Sequence, residues 1–289
     1  MKIDLHIHTK TGSDGALPVE DVLREAKNRN ITLMSVTDHD SLDAQDKAIA
    51  LAREYGICYV TGIELNVTFQ TPQGKAVSLD FLGYGFDINN RALREKLQVL
   101  REHREWRARE IMEKVNTELM RERIKPLTDL DMKNIYESVD GTFGRPHIAN
   151  YLVQKGIVST AQEAFDKYLV KCDVPKYPLS LPDASKLIRN AGGILILAHP
   201  NDPHGTSLAS ISKDPAQQTR VITESMLEYI NGVECWHPRH DQLTITHYFS
   251  FADKHKLIAT GGSDCHQKPI IMGTVNVPEE VTKQFVKKN

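Results

Sequence analysis

Short apolar runs recur along this chain, and most of them stop at a residue able to bind a metal or move a proton. The first is Lys2-Ile3-Asp4-Leu5-His6-Ile7-His8. In an extended strand, residues two apart share a face. His6 and His8 therefore project to one side, and Ile3, Leu5 and Ile7 to the other. Six further runs follow, at Thr32–Val36, Ile57–Val60, Val77–Leu82, Ile194–Ala198, Val233–Trp236 and Leu257–Thr260. They lead into Thr37-Asp38-His39-Asp40, Gly62-Ile63-Glu64, Gly83, His199-Pro200, His237-Pro238-Arg239-His240 and Gly261-Gly262-Ser263-Asp264-Cys265-His266. Apolar runs of this length closed by Gly or Pro read as buried strands of a parallel sheet. Helical patterns separate them, at Pro18–Arg29, Leu42–Tyr55, Pro182–Asn190 and Gln218–Tyr229. The alternation predicts strand-helix-strand units, and in barrels of that type the chemistry sits where the strands end.

The alternation breaks after Gly83-Tyr84-Gly85-Phe86-Asp87. From Asn90 to Arg123 the chain reads as one long helix, with Leu93, Leu97, Leu100, Ala108, Ile111, Val115 and Leu119 at three- and four-residue steps. Helices are expected again over Thr128–Glu137 and Arg145–Lys155, and Thr160 with Glu163 has the spacing of a capping box. The proline-rich stretch Lys176–Pro182 reads as the return crossing. Residues 88–178 are therefore expected to form a helical insertion, a cap domain, in a barrel made of residues 1–87 and 179–289. The Arg and Glu residues that crowd the long helix are spaced for solvated ion pairs along its surface.

A net charge of -2 over 289 residues excludes a broad attraction to nucleic acid or an acidic membrane. No stretch approaches the ~20 apolar residues of a membrane span, and no secretory leader is seen at Met1-Lys2. Cys58, Cys172, Cys235 and Cys265 form no C-x-x-C pair, which suits free thiols and a reducing, cytoplasmic compartment. Histidine is what stands out.

His6, His8, Asp14, His39, Glu64, His199, Asp264 and His266 form a candidate ligand set of imidazole and carboxylate without thiolate. Such donors suit Mn²⁺, Fe²⁺ or Zn²⁺. The set is too large for one ion, so two or three divalent ions are expected, Mn²⁺ foremost, with a carboxylate such as Glu64 as the bridge. A cluster of this kind makes hydroxide available near neutral pH and clamps phosphoryl oxygens. A single closed structural zinc site would need only four of these residues. His237 and His240 follow a strand end; His240 is the preferred candidate for substrate contact or leaving-group protonation.

The segments DLHIHTKTGSDG (Asp4 to Gly15), TDHD (Thr37 to Asp40), GIE (Gly62 to Glu64), AHP (Ala198 to Pro200) and GGSDCH (Gly261 to His266) together resemble the polymerase and histidinol phosphatase (PHP) superfamily. With GRPHIA (Gly144 to Ala149) they resemble its TrpH-type metal-dependent phosphoesterases. The resemblance implies an α/β fold, a distorted seven-stranded (β/α)7 barrel. It also implies three metal positions: His6, His8, Glu64 and Asp264 at the first, Glu64 and His199 at the second, Asp14, His39 and His266 at the third. The family usually has a further His on the strand that ends Leu82-Gly83-Tyr84. Here Asp80 stands in that region and is a candidate substitute ligand. The resemblance also points to Arg145 for substrate binding, where a guanidinium fork suits phosphate, and His147 lies in the same motif.

The expected reaction is attack on phosphorus by a metal-bridging hydroxide. The substrate implied is a nucleotide phosphate monoester, 5′-AMP or a 3′,5′-bisphosphonucleoside. Alternatives are 5′-3′ trimming of short RNA, histidinol phosphate hydrolysis, a non-phosphate hydrolase and a metal-bearing module without activity. No basic stripe interleaved with aromatics suggests a surface for long nucleic acid, and the sequence leaves the oligomeric state open.

Overall fold

A computed structural model of the protein describes residues 1–138 and 145–285. The chain forms two compact units, Met1–Glu95 with Pro178–Asn289, and Lys96–Tyr177. Among the described residues no helix is long and apolar enough to cross a membrane.

The first unit begins with three short parallel strands, β1 (Ile3–Asp4), β2 (Leu33–Met34) and β3 (Cys58–Tyr59). Ile3 pairs with Leu33 and Leu33 with Cys58. Helices α1 (Val19–Asn28) and α2 (Gln45–Tyr55) make the crossovers. Val19, Val22, Leu23 and Ala26 lie on one face of α1 and are buried against Ala44, Ala48 and Ala52. Full burial of each branched side chain contributes roughly 1.5–3 kcal/mol. Polar residues at three, four and seven steps would leave α1 nothing to pack with.

Strands β4 (Gly62–Gln70) and β5 (Ala76–Tyr84) form an antiparallel hairpin, with Glu64 opposite Leu82 and Asn66 opposite Asp80. After the insertion, α7 (Leu181–Asn190) leads to β6 (Ile194–Leu197), α8 (Pro215–Ser225) to β7 (Gly232–Trp236), and α9 (Gln242–His255) to β8 (Ile258–Gly261). Each of these helices starts at an oxygen-bearing cap: Ser180 accepts from the Asp183 N–H, Asp214 from Ala216 and Asp241 from Thr244. β5 runs antiparallel to β6, whereas β6, β7 and β8 are parallel.

The α/β fold is as expected, while the strands that the distorted (β/α)7 barrel would close into one ring pair differently from an all-parallel sheet. Eight strands form two ladders, one of three and one of five, and no continuous closed barrel is present among the described residues. Isolated bridges link the ladders, Ile7 to Cys265 and His39 to Glu64. The hairpin has a plain origin. Leu65, Val67 and Phe69 alternate with Asn66 and Thr68, and the alternation ends at Pro72-Gln73-Gly74. A turn that short reverses the chain and leaves no room for a crossover helix.

In the second unit α3 (Arg91–Arg121) continues from the first and is followed by α4 (Asp129–Ser138), α5 (Arg145–Gln154) and α6 (Ala161–Ala164). Thr160 caps α6 by accepting from the Glu163 N–H, and the Glu163 carboxylate accepts in return from the Ser159 N–H. Ile111, Val115 and Leu119 of α3 are buried with Ile148, Leu152 and Leu169, which gives this unit its own apolar core.

Candidate metal centre

His6 and His8 lie beyond the end of β1, on either side of the Ile7 bridge to Cys265, and keep the alternation expected of extended chain. Leu5 and Ile7 are buried on one side, and the two imidazoles lie side by side on the other with their Nε2 atoms 3.1 Å apart. The loop after β8 brings in Asp264, whose Oδ1 is 3.3 Å from His6 Nε2 and 3.4 Å from His8 Nε2. The third residue of β4 is Glu64, whose Oε2 is 3.3 Å from His6 Nε2 and 3.2 Å from His8 Nε2. Four donor atoms thus enclose one point. Tetrahedral arms of ~2.0–2.1 Å put neighbouring ligand atoms about 3.3 Å apart, so these edges have the size of a metal's first coordination sphere.

Glu64 faces two further imidazoles. Its Oε2 is 3.2 Å from His39 Nδ1 and its Oε1 is 3.1 Å from His199 Nε2. Glu64, Asp80 and His199 form a second group of converging donors, and His8, Asp14, His39 and His266 a third. In the third group Asp14 Oδ1 is 3.4 Å from His266 Nε2, 3.9 Å from His39 Nε2 and 4.0 Å from His8 Nδ1. Asp80 is held by its hairpin neighbour, since Asn66 Nδ2 donates to its Oδ1 at 2.6 Å. All nine sequence-derived ligand candidates, His6, His8, Asp14, His39, Glu64, Asp80, His199, Asp264 and His266, fall in one or more of these groups.

The electrostatics favour cations. Burial works against charge on Glu64 and Asp264, yet the surrounding imidazoles hold both well below the carboxylate range. Burial likewise disfavours a charged His8, but its bonds to Asp264 and Glu64 push it up to about 10. His199 is pushed up to about 9 against the same opposition, by Glu64 first and then Asp264 and Asp80. The carboxylates require positive charge at the imidazole nitrogens, from protons or from metal ions. His199 Nδ1, buried, has no hydrogen-bond partner among the described residues.

Two of the donors sit on a backbone in the left-handed region, His199 at φ 22° and Asp264 at φ 49°. Such conformations cost on the order of 1–3 kcal/mol for residues with a Cβ. Surrounding bonds hold them: the His199 N–H donates to Glu234 Oε2 at 2.8 Å and the Asp264 N–H to the His6 carbonyl at 2.8 Å.

Three buried carboxylates that the sequence reading passed over support the cluster. Glu234, within β7, lies 3.0 and 3.2 Å from His6 Nδ1. It takes that nitrogen's proton as a hydrogen bond and leaves the Nε2 lone pair facing inward, the arrangement that orients metal-ligating histidines. Asp4 accepts from the Ser263 and Gly273 N–H groups, tying β1 to the loop that carries Asp264. Asp38 accepts from Thr9 N, Thr9 Oγ1 and Ser13 Oγ, folding the Thr9–Gly15 loop that presents Asp14. For Asp4 and Glu234 the available signal was an acid inside an apolar run, which burial penalises unless partners wait for it.

His240 has both ring nitrogens engaged. Its Nδ1 donates to the Cys235 carbonyl at 2.9 Å, and its Nε2 accepts from the Asn201 N–H at 3.4 Å. Burial pushes it down to about 4, so at neutral pH the ring has no proton on Nε2 to give. His237 is nearer the cluster, with Nε2 3.3 Å from Asp264 Oδ2. Arg145 and His147 belong to the helical unit. There Arg145 NH1 bonds Asp173 Oδ2 at 2.9 Å and lies over the Phe165 ring; Gly144 of the same motif lies outside the described residues.

The model of the PHP domain matches residues 4–250. The chain belongs to the PHP-domain family. This PHP protein is accordingly a metal-dependent hydrolase. It is 31% identical over 278 residues to a 3′,5′-nucleoside bisphosphate phosphatase of Chromobacterium violaceum, covering 91% of this chain and 87% of that one. It is 32% identical over 206 residues to a 5′-3′ exoribonuclease of Haemophilus influenzae, covering 69% of each. Among solved structures, an amidohydrolase from Chromobacterium violaceum with bound sulfate superposes with a TM-score of 0.73 at 29% identity, over 97% of this chain and 93% of that one.

Proposed function

We propose that the protein hydrolyses phosphate monoesters of nucleotides, 5′-AMP or 3′,5′-bisphosphonucleosides, with two or three divalent ions, Mn²⁺ foremost. The observation that carries this is Glu64, whose two oxygens face four imidazoles and so join adjacent donor groups. A carboxylate so shared is what a multinuclear centre needs, and a lone structural zinc has no use for it. His6, His8, Glu64 and Asp264 would hold one ion, Glu64, Asp80 and His199 a second, and Asp14, His39 and His266 a third. Ions held there supply Lewis acidity, an activated water near neutral pH and charge compensation for a phosphoryl group.

The chain's own residues do the rest. Glu234 keeps His6 in the tautomer that binds. The Nε2–H of His237 holds Asp264 by its outer oxygen. Arg145, which already pairs with the Asp173 carboxylate through NH1, is the candidate anion contact of the helical unit. The sulfate in the Chromobacterium structure, a tetrahedral oxyanion like phosphate, supports a phosphate substrate, as do the relatives' activities. Trimming of 5′-phosphorylated RNA is the second reading, supported by the exoribonuclease relative. Four unpaired thiols suit a cytoplasmic setting.

The test is phosphate and nucleotide release from Mn²⁺-loaded protein with 5′-AMP, adenosine 3′,5′-bisphosphate, histidinol phosphate and a 5′-phosphorylated RNA oligomer. Turnover of the adenosine nucleotides that is abolished in Asp264→Ala is the expected result. Activity confined to RNA would move the reading to exonuclease. No turnover of any ester by metal-loaded protein would refute both.

A further inference from the structure

Asp202, His237 and Asp264 bring donor-type atoms within 4.8 Å of one another, so they invite a reading as one more cation site. Their hydrogen bonds argue otherwise. Asp202 Oδ1 accepts from the His204 N–H at 2.9 Å, and Oδ2 accepts from Arg239 NH1. His237 Nδ1 accepts the Arg239 backbone N–H at 3.3 Å. The ring proton of neutral His237 is therefore on Nε2, directed at Asp264 Oδ2, 3.3 Å away. His237 then has no lone pair to offer a metal, and each Asp202 oxygen is already aimed at a donor of its own loop region. This edge of the cluster is lined with donors, and Arg239 is its only guanidinium among the described residues that make these contacts.

Asp202 is 1% exposed and Arg239 is 48% exposed. Asp202 sits on the loop after β6, three residues past His199, and Arg239 on the loop after β7, two past His237. Burial opposes charge on Asp202, and the His204 N–H and Arg239 overcome it, holding the carboxyl below its usual range. A buried anion, with a donor atom within 4.8 Å of one on Asp264, thus anchors one corner of a guanidinium that is otherwise half exposed. An arginine that served only to neutralise Asp202 would bury its fork against the carboxylate. One corner bound and the rest presented is how an arginine is set to receive a second oxyanion.

We infer that Arg239 binds the phosphate group of the substrate at the rim of the metal cluster, positioned there by Asp202. This rests on the phosphoesterase reading above and adds a residue outside its ligand set. The ligand chemistry is a phosphate monoester or inorganic phosphate, with two or more oxygens for the fork.

The probe is inorganic phosphate, titrated calorimetrically into Zn²⁺-loaded protein, alongside KM and kcat for 5′-AMP on the Mn²⁺ form. In Arg239→Ala, phosphate affinity falls by roughly 10- to 100-fold, the scale of a lost charge-assisted pair. KM rises in parallel while kcat moves less, and metal content and circular dichroism are unchanged. Arg239→Lys recovers only part of the affinity because an ammonium lacks the fork. Asp202→Asn weakens binding by a smaller factor, through loss of position. Phosphate affinity and KM within about twofold of wild type in Arg239→Ala would overturn the inference. So would loss of metal from that variant, which makes the residue structural. Arg239-dependent phosphate binding without ester turnover would keep the inference and remove the proposed activity. Turnover with an indifferent Arg239 would do the reverse.

Discussion

Replacing Glu234 by Gln isolates how a residue that touches no substrate controls the metal centre. The carboxylate accepts twice: its Oε2 takes the His199 N–H at 2.8 Å, and both oxygens face His6 Nδ1, at 3.0 and 3.2 Å. A Gln amide offers one acceptor and one donor group. Its oxygen stays with the His199 N–H, since leaving that buried group without its acceptor costs about 1–3 kcal/mol. The amide nitrogen then falls where Oε1 was, 3.0 Å from His6 Nδ1. Two donors cannot face each other there, so His6 moves its proton to Nε2. That is the nitrogen which stands 3.1 Å from His8 Nε2 and 3.3 Å from Glu64 Oε2. A protonated Nε2 cannot bind a metal. Changes to such supporting partners cost ~10- to 100-fold in metal affinity, which is about 1.4–2.7 kcal/mol. Competition with a chromophoric chelator reads the affinity, and ¹⁵N–¹H correlation spectra read the His6 tautomer in the same sample. Affinity within threefold of wild type, in a variant that folds and in which His6→Ala does abolish binding, would refute the argument. Retention of the original tautomer with weakened binding would assign the loss to charge and leave orientation without a role.

Three other outcomes follow from the same geometry. A Cβ at Gly262 would lie 2.3 Å from the His6 backbone nitrogen and 2.5 Å from its Cβ; Gly262→Ala therefore pushes β1 away from the Asp264 loop, with several kcal/mol lost on the scale of about 1–3 or more for overpacking and metal stoichiometry reduced by elemental analysis. Metal uptake releases protons: His8 and His199, raised to about 10 and about 9, are charged at neutral pH without metal. Their charged form stabilises the metal-free fold fully below the unfolded value near 6.5 and less as pH rises through 9 and 10. Apparent metal affinity accordingly climbs with pH, by about tenfold per unit for each proton displaced, and calorimetry in buffers of different ionisation heat counts those protons; a count of zero at pH 7 would contradict the raised values. His240, pushed down to about 4, has the opposite sign: its contribution is present above pH 6.5 and lost as pH falls toward 4, so His240→Gln flattens that limb of the unfolding free energy measured by denaturant titration.

The cluster of candidate donors was legible because its chemistry is expensive elsewhere. An imidazole or carboxylate at the end of an apolar run has only a strand end to occupy, and His6, His8, His39, Glu64, His199, Asp264 and His266 all stand at such ends. The carboxylates that support them were harder to see for the same physical reason reversed. Asp4 and Glu234 sit inside strands, where alternation reads them as minor interruptions of a core; only the partners, Ser263 and Gly273 for one, His6 and His199 for the other, show why burial tolerates them. Those partners lie more than 30 residues away in sequence, beyond any local pattern. The hairpin is a different case. Its signal was present, in Leu65, Val67 and Phe69 and the Pro72-Gln73-Gly74 turn, but the parallel units on either side made a crossover the simpler expectation. The antiparallel pairing places Asn66 opposite Asp80, and that is what turns the Asp80 carboxylate from an oddity of the sequence into an oriented donor beside Glu64 and His199. A carboxylate has two oxygens to aim, and the amide of Asn66 occupies one of them. Asn66→Ala should therefore weaken the second metal position while leaving the first, built on His6, His8, Glu64 and Asp264, unchanged; equal loss at both positions, read by stepwise metal titration, would mean that Asn66 supports Glu64 and not Asp80.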